Sequence, residues 1–224
     1  MPRIIDLTLP LENGVRGVSI ESAKTLEKDG WNATTLHLYS HGGTHMDAPI
    51  HFGVSSQTID QIPLDRCMGP AWVADPVCSV PVRASEENAS RRHYERALIL
   101  VADLGQTADK IREGDGLLLR TGWSRRAGDP SYREGLPRVS LELAEWCVAK
   151  GVRMLGVEPP SVADVNNAGE LVAVHRVLFE AGVIIVEGLA NLDQIRHEMV
   201  TFMAFPLKVT GGDGAPVRAF ALED

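Results

Sequence analysis

The run His41-Gly-Gly-Thr-His45-Met-Asp47-Ala-Pro49-Ile-His51-Phe52 concentrates four metal-binding side chains around two glycines and a proline, and it constrains the fold more tightly than any other stretch of the chain. Imidazole nitrogens and carboxylate oxygens are the donors that hold zinc and related divalent ions. On extended backbone, about 3.3 Å per residue would leave His41 and His45 about 13 Å apart. Ligands of one ion, with bonds of about 2.0–2.2 Å, sit within roughly 3.5 Å of one another, so the chain must turn sharply between them. Gly42-Gly43 permits that turn, and Pro49 imposes a second bend before His51. His45 and Asp47, two positions apart, can share one face of a short extended piece. The alternative is a histidine-rich surface turn with Asp47 capping a backbone amide. The density of donors around two flexible residues and one rigid one favours a metal site. His37 falls outside the cluster and reads as a strand residue.

His175 and Glu187 are candidates of a second kind. His175 lies inside the helical run Leu171-Val-Ala-Val-His175-Arg-Val-Leu, and Glu187 directly follows Val183-Ile-Ile-Val186, the most apolar strand. A carboxylate at the end of a buried strand is costly unless it is paired or bound to metal. Taken alone, each residue is more often structural, Glu187 in an ion pair and His175 on a solvated helix face.

The rest of the chain reads as one domain, residues 1–224, of α/β class. Strand candidates are Arg3–Leu7, Thr34–Tyr39, Ala71–Val77, Ala97–Val101, Gly116–Arg120, Met154–Val157, Val183–Val186 and Phe202–Val209, each apolar or β-branched between Gly, Pro or charged residues. Ser140 predicts a helix over Leu141–Lys150 closed by Gly151, and a second runs from about Glu170 to Ala181 with Gly182 as its stop. Helices alternating with strands after a strand-rich early half predict a mixed sheet able to curl into a barrel. Gly211-Gly-Asp-Gly214 reads as a tight turn between terminal strands. It is not a phosphate loop, because no helix N-terminus or P-loop lysine follows.

Bulk properties narrow the function. Among 224 residues the formal charge is -8, and no basic cluster exceeds Arg91-Arg92 or Arg125-Arg126, which argues against nucleic acid or an anionic membrane and for a small-molecule substrate. No stretch reaches the roughly 18 apolar residues of a membrane span, and the N-terminus lacks a signal-peptide core, so the expected location is the cytoplasm. Cys67, Cys78 and Cys147 form no CxxC pair and read as packing residues.

The histidine run resembles the HxGTHxDxPxHF pattern of the cyclase family, which includes bacterial kynurenine formamidases, isatin hydrolases and related amidases or lactonases. The likeness continues through Ile62-Pro-Leu-Asp65, Met68-Gly-Pro70, Gly114 to Trp123, Gly156 to Val162, His175 to Glu187-Gly-Leu, Phe205-Pro-Leu-Lys208 and Gly214 to Arg218. The resemblance implies a mixed, barrel-like sheet flanked by helices, the swivelling β/β/α-like cyclase fold. It implies that His41, His45 and Asp47 bind one divalent ion and that Asp47 bridges to a second completed by His175 and Glu187. His51 matches the family's acid/base histidine. Zinc is the first expected ion and manganese the second, with one or two ions per subunit, in a homo-oligomer, a dimer or tetramer. Formylkynurenine-cleaving members share an early Trp-Pro-Gly-Asp segment that Leu11 to Trp31 lacks, and Gly156-Val-Glu158-Pro-Pro-Ser161 replaces the usual Gly-Ile-Asp-Thr-Pro-Ser.

The expected activity is hydrolysis of an amide, formamide or lactone by metal-activated water. Trp31, Trp123, Tyr132 and Glu158 are candidate substrate contacts, with core packing or loop capping as their alternative roles. Two rivals remain: a metal-dependent cyclase or dehydratase acting through an enolate, and a non-catalytic metal-binding member of the family.

Overall fold

In a computed structural model that describes residues 2–77 and 94–223, the apolar runs become twelve strands and five α-helices. Their order is β1 (Arg3–Asp6), β2 (Val18–Lys24), α1 (Leu26–Asp29), β3 (Ala33–Leu38), β4 (His45–Asp47), β5 (Met68–Ala74), β6 (Leu98–Ile99), α2 (Thr107–Lys110), β7 (Gly116–Leu119), α3 (Ser131–Glu134), β8 (Arg138–Val139), α4 (Leu141–Ala149), β9 (Met154–Val157), α5 (Ala168–Glu180), β10 (Ile184–Glu187), β11 (Met199–Pro206) and β12 (Gly214–Glu223). Cys78 and Arg91-Arg92 lie outside the described residues.

The main sheet runs β1-β12-β11-β5-β7-β9-β10-β4, and a further β12–β4 pairing closes it into a barrel, with β1 on the far end of β12. β5, β7, β9 and β10 are mutually parallel, and the remaining pairs are antiparallel. The sheet is therefore mixed, as the alternation of elements predicts. Every residue of β7, β9 and β10 is buried, because the barrel interior covers one face and helices the other.

Side-chain alternation divides the core in two. Leu118, Met154, Ile184, Val186 and Phe202 fill the barrel interior, together with Met46 of β4. Leu117, Leu119, Leu155, Val157 and Ile185 point the other way, against Leu143 and Cys147 of α4 and Val174 and Leu178 of α5. The interior leaves no spare room at Gly156, where a Cβ would stand 2.6 Å from Leu118 Cδ2 and 2.7 Å from Leu189 Cδ1.

The two long helices start on side-chain caps. Ser140 Oγ accepts the Leu143 N–H at 3.0 Å, as the sequence predicts. α5 begins two positions earlier than expected, because Asn167 Oδ1 accepts the Glu170 N–H at 3.2 Å and caps the helix ahead of the apolar stripe. β12, the longest strand, is implied in the sequence only by the turn before it, since its opening Gly-Ala-Pro weakens the strand pattern. β2 and β3 pair only with each other among the described residues and form a separate two-stranded arm. Among the described residues, no helix is long and apolar enough to cross a membrane.

Candidate metal centre

The three-residue strand β4 lies between β10 and β12, with Glu187 opposite His45 and Gly214 opposite Asp47. Met46 points into the barrel, so His45 and Asp47 point outward, on the same side as Glu187 and beneath α5. α5 brings His175 down onto them. The sequence expectation that His45 and Asp47 share a face of a short extended piece thus has its physical origin in the alternation about Met46.

The side chains converge closely. His41 Nδ1 is 2.7 Å from Asp47 Oδ1, and His45 Nε2 is 3.5 Å from the same oxygen and 3.2 Å from Glu187 Oε2. His175 Nε2 is 3.7 Å from Asp47 Oδ2 and 3.4 Å from Glu187 Oε1. Among the described residues three donor trios result, His41–His45–Asp47, Asp47–His175–Glu187 and the more open His41–His51–Asp213, each with ligand atoms within 4.8 Å of one another, and the first two share Asp47.

The ring orientations are set from behind. His45 Nδ1 is 3.0 Å from the Gly43 carbonyl, and His175 Nδ1 is 2.7 Å from the Leu171 carbonyl. A carbonyl oxygen only accepts, so Nδ1 carries the proton in both rings and Nε2 faces the centre. His45 Nε2 is buried without an aligned hydrogen-bond partner despite its approach to Glu187, as suits a lone pair aimed at an ion. Gly43, at φ 64, makes the sharp turn that returns the chain from His41 to His45. Thr44 fastens this turn by donating to the Gly188 carbonyl at 2.5 Å and accepting the Leu9 N–H at 2.7 Å.

Pro49 opens a short 3-10 helix, Pro49–Phe52, which swings His51 beside the two trios that share Asp47. The His51 ring stacks on His41 at 3.9 Å and its side chain stays 28% exposed, whereas those of His45 and His175 are buried. Phe52 stacks on His175 at 4.2 Å. His37 stands apart, exposed on β3, with Glu21 3.9 Å away.

Asp213 is the site residue that sequence reasoning missed. It projects from the Gly211–Gly214 turn, with Oδ2 3.2 Å from His41 Nε2 and 3.5 Å from His51 Nδ1. The only signal was one carboxylate in a glycine turn, and such turns carry Asp for local reasons.

Electrostatics follow from this packing. Burial disfavours a charged His41, yet Asp47 on one nitrogen and Asp213 on the other raise its pKa to about 9. His45 and His175 are likewise raised against burial by Glu187 and Asp47. Burial would raise Glu187, but His175 and His45 hold it below the ordinary carboxylate range. His51 moves the other way: burial and the charges of His41 and His175 lower it, against the pull of Asp47 and Asp213. Two buried carboxylates need balancing positive charge, which protons on the histidines or a divalent cation can supply.

A cavity of about 800 Å³ opens over these residues, lined also by Tyr39, Phe52, Tyr132 and Leu171. Of the four candidate substrate contacts, Tyr132 lines it, with its hydroxyl donating to the Glu158 carbonyl at 2.8 Å. Trp123 is buried against Tyr94, Ala97 and Leu136 and donates to the Tyr132 carbonyl at 2.8 Å. The buried Glu158 carboxylate accepts from Thr121 N and Oγ1 at 2.7 and 2.9 Å, from Ser124 Oγ at 2.8 Å and from Gly122 N, tying down the 121–124 segment. Trp31 is 59% exposed in the β2–β3 arm, away from the cavity.

Residues 5–164 match the family model described as "Putative cyclase". A kynurenine formamidase from Salinibacter ruber is 32% identical over 190 residues, covering 84% of this chain and 78% of that one. A kynurenine formamidase from Bacillus cereus is 29% identical over 222 residues, covering 96% and 95%. Isatin hydrolase A from Ralstonia solanacearum superposes with a TM-score of 0.82 at 25% identity, over 100% of this chain and 92% of that one. A potential metal-dependent hydrolase with cyclase activity superposes with a TM-score of 0.75 at 25% identity, over 100% and 99%.

Proposed function

The chain belongs to the cyclase family, and from that premise we propose that it is a metal-dependent hydrolase of small-molecule amides, with formamides and lactones within its range. The observation that carries the reading is the sharing of buried Asp47 by two donor trios, one fully buried and the other buried except for His41. The residues fit a divalent ion: His45 Nε2 has no aligned partner, and Asp47 and Glu187 converge on three imidazoles. His41, His45 and Asp47 would hold one ion, and Asp47, His175 and Glu187 a second. A bound divalent ion acidifies water and polarises a scissile carbonyl.

His51 supplies the proton transfer. Its pKa is held below the ordinary histidine value, so the ring is neutral near pH 7 and able to act as a base. With Nδ1 beside Asp213, Nε2 takes the proton of the attacking water and returns it to the leaving nitrogen or oxygen. Tyr39, Phe52, Tyr132 and Leu171 offer an apolar wall for a small, aryl-sized substrate and keep bulk water from the reacting bond.

On this reading zinc is the first ion to test and manganese the second, since a nitrogen and oxygen donor set suits both. The whole chain, 1–224, works as one domain. The free, buried Cys67 and Cys147 suit the reducing cytoplasm. The β2–β3 arm, with Leu26, Trp31 and Leu36 exposed at 64%, 59% and 54%, suits a homodimer contact.

The test is turnover of an aryl formamide by metal-replete protein in heavy-oxygen water. Hydrolysis places the label in the released acid, whereas a cyclase or dehydratase working through an enolate incorporates none. His51→Ala should keep the metal and lose turnover, which a purely metal-binding role would not produce.

A further inference from the structure

The cavity has a cationic wall that the proposed chemistry does not use. Arg16 and Arg133 both line it. Arg16 precedes Gly17, whose φ of 71 presses the turn against Tyr39, and its guanidinium carbon lies 5.3 Å from the centre of the Tyr39 ring. Arg133 sits on α3, which is held by the Asp129 carboxylate accepting the Ser131 N–H at 2.7 Å and by Trp123 bonding the Tyr132 carbonyl. Among the described residues neither guanidinium has a carboxylate within ion-pair distance, although most other arginines near a carboxylate do pair. Burial and the charge of Arg16 lower the pKa of Arg133, so the two cations act on each other. The carboxylates that face this wall are already engaged or solvated: Glu12 is exposed on the turn before Arg16, Asp129 is committed to α3, Glu134 beside Arg133 accepts from Asn166 Nδ2 at 2.6 Å, and Glu187 faces His45 and His175. Arg16 is exposed and Arg133 half-buried, so both stay charged on the cavity wall with their planar forks open to an incoming carboxylate.

We infer that Arg16 and Arg133 form an anion-recognising wall of the cavity, so that the substrate is an amide, formamide or lactone bearing a carboxylate away from the scissile bond. This rests on the hydrolase reading for the reacting bond, but the anion site stands on its own residues. The apolar walls between the arginines and the histidines would take the body of the substrate.

The test pairs binding with turnover. Calorimetry compares 4-aminobenzoate, a product-like anion that is not consumed and carries its carboxylate across the ring from the nitrogen, with its methyl ester on metal-loaded protein. The carboxylate should bind about tenfold tighter or more, as for hydrogen bonds between charged partners. The double variant Arg16→Gln/Arg133→Gln should erase that preference while leaving ester binding within about twofold, and Arg133→Lys should keep part of it. The same arginine dependence should appear in kcat/KM for 4-formamidobenzoate against its methyl ester. Equal binding of the two probes by the unaltered protein would overturn the inference, as would a preference that survives in the double variant, which would place the carboxylate on the metal centre. An arginine-dependent preference without formamide cleavage would sink the hydrolase reading and leave the anion site standing. Cleavage of both formamides with equal kcat/KM would do the reverse.

Discussion

His45 and Glu187 face each other across the β4–β10 pair, their side chains 3.2 Å apart, and this one register brings the early histidine run and the late apolar strand into a single centre. β10 buries Val186 in the barrel and presents Glu187 outward, while β4 does the same with Met46 and His45. A slip of one residue in that pairing would dismantle the site.

Glu187→Gln tests this relationship. It removes the charge that His45 and His175 both face, while the Val162 N–H that donates to Glu187 Oε1 at 2.7 Å keeps an oxygen to bond. Metal affinity should fall by more than the about 10–100-fold typical of losing an outer partner, with the fold retained. Competition against a chelator of known affinity measures it.

Asp213→Ala should lower metal affinity or kcat by about 10–100-fold, because Asp213 holds the second nitrogen of His41 and steadies His51. Metal titration alongside steady-state kinetics checks this. Unchanged values for both would make Asp213 a simple turn residue.

Gly214→Ala should disturb the site without touching a ligand. A Cβ at this position would lie 2.8 Å from His41 Cε1 and 2.9 Å from the Met46 carbonyl. β12 or the His41 ring must shift, at a cost of about 1–3 kcal/mol of stability. Denaturant unfolding of metal-loaded protein reads the cost, and activity should drop with it.

Stability should depend on pH through Glu223, far from the centre. Burial would raise this carboxyl, but it accepts from His197 N at 3.0 Å, Arg196 N and Arg3 Nη1 at 2.8 Å, which together lower its pKa. A depressed acid contributes stability that is present above its unfolded pKa of about 4.3 and lost as pH falls through the folded value. Glu223→Gln should therefore cost about 1.5–3 kcal/mol at pH 7, with the gap to the parent narrowing below pH ~4. Unfolding midpoints across that range measure the gap, and a constant difference would contradict the assignment.

Much of the centre was legible because its ligands are crowded in sequence. His41, His45, Asp47 and His51 are separated only by the residues that turn the chain, so local chemistry pointed to them. His175 and Glu187 were weaker, because either is ordinary on its own helix or strand and only the β9–α5–β10 crossover brings them under one roof. Asp213 showed only as a carboxylate in a glycine turn, since its partners are reached through the β12–β4 pairing. β4 itself is too short to show a period, and β12 begins with residues that usually end strands. Glu158 shows the converse: a carboxylate near the site by sequence, yet turned into a cradle of loop donors.

The central claim is that these residues form a metal-dependent hydrolytic centre, and its most direct test is to titrate metal-stripped protein with zinc while following cleavage of an aryl formamide. Activity should be absent at the start, return as ion is added in proportion to protein, and fail to return in Asp47→Ala. Full activity in the metal-stripped protein, or its recovery in Asp47→Ala, would contradict the account.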